Sequence, residues 1–327
     1  MVKHAVTQNE CLGVCESVNL AVNLGGLMMQ NPLTVASGTF GSGREYHALW
    51  RNAGYHDGIG ALGAITTKGV SLKPWDGNAG IRITQSAAGM LNSIGLQNKG
   101  VEEFCAIDLA WLKQNAAGTA VIVNVCGHSL DEYQLVIQRL EEEASVSAYE
   151  LNISCPNVSC GGMSFGTDAL LASELTARCR TLTKRPLIVK LTPNVTDITE
   201  IARAIESAGA DAVSLINTVA GMSIDIKSRK ALFERKVAGL SGPAIKPVAL
   251  WAVYRVAQAV NIPVLGMGGI CTVEDCVEFL LAGACALAVG TASFNDPLSA
   301  PHLLEGLQQW CEQNGVRNVS ELTGALN

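Results

Sequence analysis

Eight times along its 327 residues the chain runs through a short apolar stretch and then into a helical pattern. The stretches are residues 32–36, 64–67, 120–125, 148–153, 186–191, 212–216, 262–265 and 286–289. Most are continuous rather than alternating, as expected of strands buried on both faces, and such strands belong to parallel sheets covered by helices. Between them, Ile198, Ile201, Ala202, Ile205 and Ala208 mark one apolar helix face, with Asp197 and Glu200 at capping-box spacing and Gly209 as the stop. Residues 101–114, 131–144, 169–182, 244–259, 273–282 and 298–311 read as further helices. The segments Ala208-Gly209-Ala210-Asp211-Ala212 and Ala282-Gly283-Ala284-Cys285-Ala286 echo each other, each turning a helix end into a strand. Strand then helix, eight times over, predicts an α/β fold: a (β/α)8 TIM barrel. An open doubly wound sheet is the structural alternative.

The boundaries follow. Residues 1–17 are an N-terminal extension, 18–313 the barrel and 314–327 a C-terminal tail. Residues 18–31, with Gly25-Gly26 in the middle, read as a β-hairpin before the first barrel strand. Residues 71–99 and 219–242 are long for connections and mark inserted active-site loops. Charged residues make up only 16% of the chain and 33 residues are glycine, which fits much buried surface and many tight backbone passages. A net charge of −6 argues against a nucleic-acid footprint. The apolar stretches are broken by Asn, Gln, Pro and Gly, so no membrane span and no secretory leader are expected. Eleven cysteines, odd in number and irregularly spaced, suit a reducing cytoplasm better than a disulfide scaffold. The pairs Cys11/Cys15 and Cys155/Cys160 lack a second pair at zinc-site spacing, and no metal site is expected.

In a barrel of this kind chemistry collects at the C-terminal ends of the strands. Gly266-Met267-Gly268-Gly269 and Gly290-Thr291 follow strands seven and eight, the usual phosphate-binding place, and Thr272 then caps a helix. Asn92, Asn124, Asn152, Asn157 and Asn217 bring several amides to the same end, suited to a flat heterocycle with alternating C=O and N–H groups. Lys68 and Lys190 end strands in an otherwise apolar barrel; either forms a Schiff base or sets positive charge beside an anion. Cys155, between two of the asparagines in a Cys-Pro-Asn turn, is a candidate nucleophile or general base, with Cys160 a competitor. No Gly-x-Gly-x-x-Gly follows an early strand, so a Rossmann-type dinucleotide site is not supported.

Taken together these motifs resemble dihydroorotate dehydrogenase. The resemblance runs from about Val18 to Pro297 and rests on Ala36-Ser37-Gly38-Thr39-Phe40-Gly41, Thr67-Lys68-Gly69, Asn92-Ser93-Ile94-Gly95-Leu96-Gln97-Asn98, Asn152-Ile153-Ser154-Cys155-Pro156-Asn157 and Gly239-Leu240-Ser241-Gly242-Pro243-Ala244. Asn157-Val158-Ser159-Cys160-Gly161-Gly162 makes it most similar to the class 1B catalytic subunit. The resemblance implies one FMN, with its phosphate on Gly268, Gly269, Gly290 and Thr291. It implies Lys190 at the pyrimidine edge, and Ser37, Lys68, Gly69, Asn124, Asn152, Ile216 and Gly242 completing the shell. Dihydroorotate or orotate is then held by Lys68, Asn92, Ser93, Ile94, Gly95, Leu96, Asn152, Asn157, Asn217 and Thr218. Cys155 removes the C5 proton while a hydride passes from C6 to FMN, a step of de novo pyrimidine (UMP) synthesis. The class further implies a homodimer joined by a subunit carrying FAD and a [2Fe-2S] cluster, in a heterotetramer that passes electrons to NAD. Lys99, where the family has proline, the small insertion at 55–60 and the first 17 residues depart from the pattern.

Competing readings are a dihydropyrimidine dehydrogenase-type FMN enzyme, a class 1A-like enzyme using fumarate, a Schiff-base aldolase working through Lys190, and a flavin-binding protein without catalysis.

Overall fold

The computed structural model describes residues 18–154, 159–160 and 163–327. Cys155 and Asn157 lie outside the described residues, as do Cys11 and Cys15. Eight parallel strands form one sheet: β1 (Leu33–Val35), β2 (Ala64–Thr66), β3 (Ala120–Val125), β4 (Ala148–Asn152), β5 (Leu187–Lys190), β6 (Ala212–Leu215), β7 (Val264–Met267) and β8 (Ala284–Val289). Neighbours in the sheet are neighbours in sequence, and β8 pairs with β1 through Leu287↔Leu33 and Ala288↔Thr34. The expected barrel is present. The continuous apolar runs are buried on both faces, with β4 and β5 buried at every position.

The remaining seam, between β1 and β2, closes largely through side chains. Thr34 and Thr66 hydroxyls meet at 3.2 Å, and the Gly63 N–H donates to Leu33 O at 3.0 Å. Asn31 completes the seam: its Oδ1 accepts from Leu33 N and Gly63 N, and its Nδ2 donates to Ala61 O. The chains pass so closely here that a Cβ on Gly63 would lie 1.9 Å from Asn31 O. At the opposite end, Lys68 N donates to Gly41 O at 3.2 Å.

The outer layer consists of α1 (Arg44–Asn52), α2 (101–115), α3 (Leu130–Glu141), α4 (Ala169–Arg180), α5 (Ile198–Ser207), α6 (Lys246–Ala257), α7 (Val273–Leu281) and α8 (Ser299–Gln313). Helix α5 buries Ile198, Ile201, Ala202 and Ile205, the face expected from their spacing. Each buried isoleucine is worth about 2 kcal/mol over exposure. Asp197 caps α5 by accepting from Thr199 N, and Gly209 follows it at φ +96°. Helix α1 was not anticipated: its only fully buried side chain is Trp50, too sparse an apolar face to read from spacing. No helix among the described residues is long and apolar enough to cross a membrane.

Strand seven sits two residues later than expected. Glu206 Oε1 accepts from Asn261 N and Ile262 N, which holds those residues in a turn. Gly266 extends the strand instead, where a Cβ would press on Phe279 at 2.9 Å.

The expected hairpin is Val22–Leu24 paired with Leu27–Met29, with Gly25 at φ +60°. A Cβ on Gly25 would meet Asp211 O at the start of β6, so the hairpin plugs the N-terminal end of the barrel. Residues 314–327 join it there: Val319 N donates to Asn19 O, and Val319 is fully buried.

The two long loops are not irregular. They pair with one another in a four-stranded antiparallel sheet ordered Val219–Gly221, Ala238–Ser241, Gly89–Asn92 and Ile83–Ser86. Leu91, Phe233 and Ala238 form a small separate core beneath it.

The seam yields a paired test. Gly63→Ala should destabilise the protein by about 2 kcal/mol, because the clash is with backbone. Gly60→Ala, whose Cβ meets nothing closer than 3.7 Å and whose φ is not positive, should leave the denaturation midpoint unchanged within about 0.5 kcal/mol. Urea denaturation of both variants measures the difference.

Candidate active site

A cavity of about 1060 Å³ occupies the C-terminal mouth of the barrel, roofed by the four-stranded sheet. That is at the upper end of the ~300–1,000 Å³ typical of small-molecule sites. The strand ends build its floor. After β1, the loop carrying Ser37 and Gly38 is held by Phe40, whose ring stacks on Tyr46 at 4.0 Å beside Trp50. Trp50 Nε1 donates to Pro297 O at 2.7 Å, which ties α1 to the segment before α8.

Strands β7 and β8 supply the glycine cradle. Gly268 and Gly269 have φ of +129° and +84°. A Cβ on Gly269 would lie 2.9 Å from Gly242 O, and one on Gly242 would lie 2.9 Å from Gly89 Cα. Glycine is required at both because backbones meet there, with no room for a methyl group. Thr291 Oγ1 donates to Ser241 Oγ at 2.8 Å and joins the β8 loop to the roof. Thr272 does cap α7, in a full capping box with Asp275. Asp275 Oδ2 accepts from Cys271 N and Thr272 N, and Asp275 N donates back to Thr272 Oγ1. Burial works to raise the Asp275 carboxyl, but Lys246 at 2.6 Å and those two N–H groups hold it below the usual value.

The amides are partly assembled. Asn92, Asn152 and Asn217 line the cavity. Asn92 stands in the roof, its Nδ2 directed to Gly239 O at 3.3 Å. Asn217 Oδ1 accepts from Thr218 N at 2.8 Å. Asn124 is fully buried one layer below the cavity, where Asn152 Nδ2 donates to its Oδ1 at 3.4 Å. Lys68, Gly69, Lys190, Ile216, Thr218, Gly290 and the run Ser93, Ile94, Gly95 and Leu96 also line the cavity. The sequence reading had not singled out Asn78 or Asn194. Asn78 Nδ2 donates to Ser93 O and Oγ, and Asn194 bridges Thr192, Thr218 and Ala220. Both hold the loops that present other residues, a role with no spacing signature.

The larger omission was Glu150. It is fully buried, yet charged by type, and sits beneath Asn152 in β4. Its Oε2 accepts from Asn124 Nδ2 at 2.5 Å, its Oε1 from Ser214 Oγ at 2.7 Å, and Lys190 Nζ lies 4.0 Å away. Burying a lone carboxylate costs several kcal/mol. Two hydrogen bonds to an ionised acceptor return about 1.5–3 kcal/mol each. A cation at that distance adds about 4 kcal/mol at an effective dielectric of ~20. The pair holds together; either member alone would not. The signal was an acidic residue inside an apolar run.

Lys68 contrasts with Lys190. No carboxylate lies within salt-bridge distance of it among the described residues. Burial lowers its ammonium below the ordinary lysine value, Cys126 opposes this and Arg82 adds to it. Such a group is waiting for an anion. The structural thiols behave oppositely to a reactive one: burial pushes Cys179 and Cys276 up to about 12.

A family model described as dihydroorotate dehydrogenase matches residues 19–310. The chain is 50% identical over 309 residues to the protein of Alkaliphilus metalliredigens named dihydroorotate dehydrogenase B (NAD(+)), catalytic subunit, covering 94% of this chain and 99% of that one. Proteins of the same name from Pelobacter propionicus and Lachnoclostridium phytofermentans are each 50% identical, over 308 and 309 residues, with 94% of this chain covered and 98% and 100% of theirs.

Removing the half-buried Lys68 charge should separate stability from binding. In the fold Lys68 binds its proton less tightly than in the unfolded chain, so below the ordinary lysine value it favours unfolding. Lys68→Met should therefore stabilise the ligand-free protein by about 1 kcal/mol at neutral pH, the gain fading as pH rises toward that value. The same variant should bind an anionic ligand more weakly. Thermal denaturation with and without ligand reads both.

Proposed function

The chain belongs to the dihydroorotate dehydrogenase family, and on that premise we propose that it oxidises dihydroorotate to orotate on a bound FMN, as a step of pyrimidine synthesis. One observation carries the reading: a single mouth cavity joins a glycine cradle, two lysines and five asparagine amides, Asn92, Asn152 and Asn217 among them. Each part matches a part of the ligand pair. The cradle of Gly268, Gly269, Gly290 and Thr291 lines the cavity and suits a phosphate, since backbone N–H groups can approach an anion where no side chain intervenes. Lys190 suits the pyrimidine edge of a flavin, and Asn92, Asn152 and Asn217 suit the imide groups of the substrate ring. Lys68, half-buried and with no carboxylate in salt-bridge reach among the described residues, suits the anionic substrate and the flavin together.

FMN, when bound, supplies the acceptor for the hydride leaving C6 of dihydroorotate. The protein supplies position and charge. The amides fix the substrate ring so that the C5 and C6 bonds break in alignment. Lys190, its charge balanced by Glu150, holds positive potential where electron density accumulates. Cys155 is proposed as the general base for the C5 proton and Asn157 as a substrate-binding amide. The roof sheet, pinned to the floor by the Thr291–Ser241 bond, keeps water from the ring.

The relatives are named as catalytic subunits that use NAD(+). This chain is accordingly proposed to work as a homodimer with a second, FAD- and [2Fe-2S]-bearing subunit that carries electrons to NAD. A docking role is supported by exposed apolar side chains: Ile83 in the roof, and Met222, Ile224 and Ile226 in the segment that follows its strand Val219–Gly221. A reducing cytoplasm is proposed for the chain, a reading supported by cysteines such as Cys179, Cys276 and Cys311 that stand outside any disulfide.

Anaerobic mixing of the FMN-loaded protein with dihydroorotate should bleach the flavin. Cys155→Ser should retain the flavin and slow the bleaching about 100-fold or more near neutral pH. Equal rates in the two proteins would remove Cys155 from the mechanism.

A further inference from the structure

Three residues of formal positive charge line the mouth cavity, Lys68, Lys190 and Arg235, and no aspartate or glutamate lines it among the described residues. The whole chain carries a net charge of −6, so this is a cationic mouth in an anionic protein. The three cations differ in depth: Lys190 is buried in the floor, Lys68 is half-buried after β2, and Arg235 is exposed at the roof. Lys190 has Glu150 near it. Among the described residues, no carboxylate lies within salt-bridge distance of Arg235. Glu234 precedes it in sequence but stands against Gly80, where a Cβ would lie 3.5 Å from its Cγ.

The backbone fixes where Arg235 stands. Phe233 is buried in the small core beneath the roof with Leu91 and Ala238. Lys236 N donates to Phe233 O at 2.9 Å, with Lys236 at φ +62°, and Val237 N donates to Arg235 O at 2.7 Å. The chain thus turns tightly at Arg235 and then enters the roof strand Ala238–Ser241. That strand ends at the glycine cradle, where Ser241 Oγ accepts from Thr291 Oγ1. Arg235 stands before its other end. The strand pairs antiparallel with Gly89–Asn92, Gly239 opposite Asn92, so residues before Ala238 and residues after Asn92 run toward the same end of the cavity. Ser93, Ile94, Gly95 and Leu96 line the cavity there. The loop after β2 reaches the same end, since a Cβ on Gly69, next to Lys68, would lie 4.0 Å from Leu96 Cδ2.

We propose that Arg235 recruits the substrate: its guanidinium meets the carboxylate of dihydroorotate at the lip of the mouth, and the anion then passes inward to the end that holds Lys68 and Asn92. The inference rests on the dihydroorotate reading above. At neutral pH the carboxylate is the one negative charge of that substrate. The FMN phosphate, on the cradle, belongs to the opposite end of the roof strand. An exposed ion pair adds little static stability in water. A charge at the rim of a site acts instead on association, and its effect fades as salt screens it. Arg235 is separate from the groups that orient the ring or take its proton, so the chemical step does not depend on it.

The test is anaerobic stopped-flow reduction of the FMN-loaded full-length chain by dihydroorotate, at ionic strengths of about 0.02 M and about 0.5 M. At low salt Arg235→Gln should lower the second-order rate constant about 3- to 10-fold and leave the limiting rate at saturating dihydroorotate unchanged. At high salt the two proteins should differ by less than about 2-fold. Arg235→Lys should keep most of the wild-type rate at low salt, and Arg235→Glu should fall below Arg235→Gln. Equal second-order constants for wild type and Arg235→Gln at low salt would overturn the proposal. So would a deficit that salt does not diminish, or one confined to the limiting rate, as a merely structural role would give. A wild type that binds FMN and is not reduced by dihydroorotate would instead refute the dihydroorotate reading, and recruitment with it.

Discussion

A closed barrel of parallel strands buries both faces of its sheet, and so confines charge to one place. The interior can hold a carboxylate only if hydrogen bonds and a cation meet it there. In this protein Glu150, Asn124, Ser214 and Lys190 satisfy that demand together, on four successive strands just below the mouth. The network sets the height at which apolar core gives way to chemistry. Above it stand Asn152, Lys68 and the cavity; below it the interior is apolar down to the hairpin that closes the far end. Removing either ion would strand the other in low dielectric, so the floor of the site is also a condition of the fold.

The roof follows from the same economy of space. Two long insertions would expose many unpaired backbone groups if they were irregular. They pair instead, Gly239 with Asn92 and Leu240 with Leu91, which turns two loops into one sheet over the cavity. Glycines stand where sheet and floor converge. Gly239 would place a Cβ 2.2 Å from Thr218 Oγ1, and Gly89 would place one 2.3 Å from Ser241 O. The abundance of glycine in the chain is in part the requirement for this close approach of backbone to backbone.

Much of this was legible in the residues. Continuous apolar runs announced the barrel strands, because burial on both faces leaves no polar alternation. The loops after strands seven and eight announced, through their glycines, a close backbone lining at the mouth. Short-range signals also placed Gly209 and the Thr272 cap correctly. What stayed hidden depends on contacts distant in sequence. The pairing of residues 89–92 with 238–241 has no local signature, since each segment alone is short and half-exposed. The role of Glu150 depends on Ser214, 64 positions away in sequence. Helix α1 escaped because aromatic stacking of Tyr46 on Phe40 steadies it, not a periodic apolar face.

The central claim is that one cavity holds a flavin and a pyrimidine in a fixed order, phosphate on the glycine loops and pyrimidine edge at Lys190. A crystal structure of the chain with FMN and orotate tests it most directly. The account predicts flavin phosphate within hydrogen-bond distance of the Gly269 and Thr291 backbone, Lys190 Nζ at the pyrimidine edge, and orotate between Asn92, Asn152 and Asn217. A flavin with its phosphate elsewhere, or orotate bound outside the mouth, would contradict it.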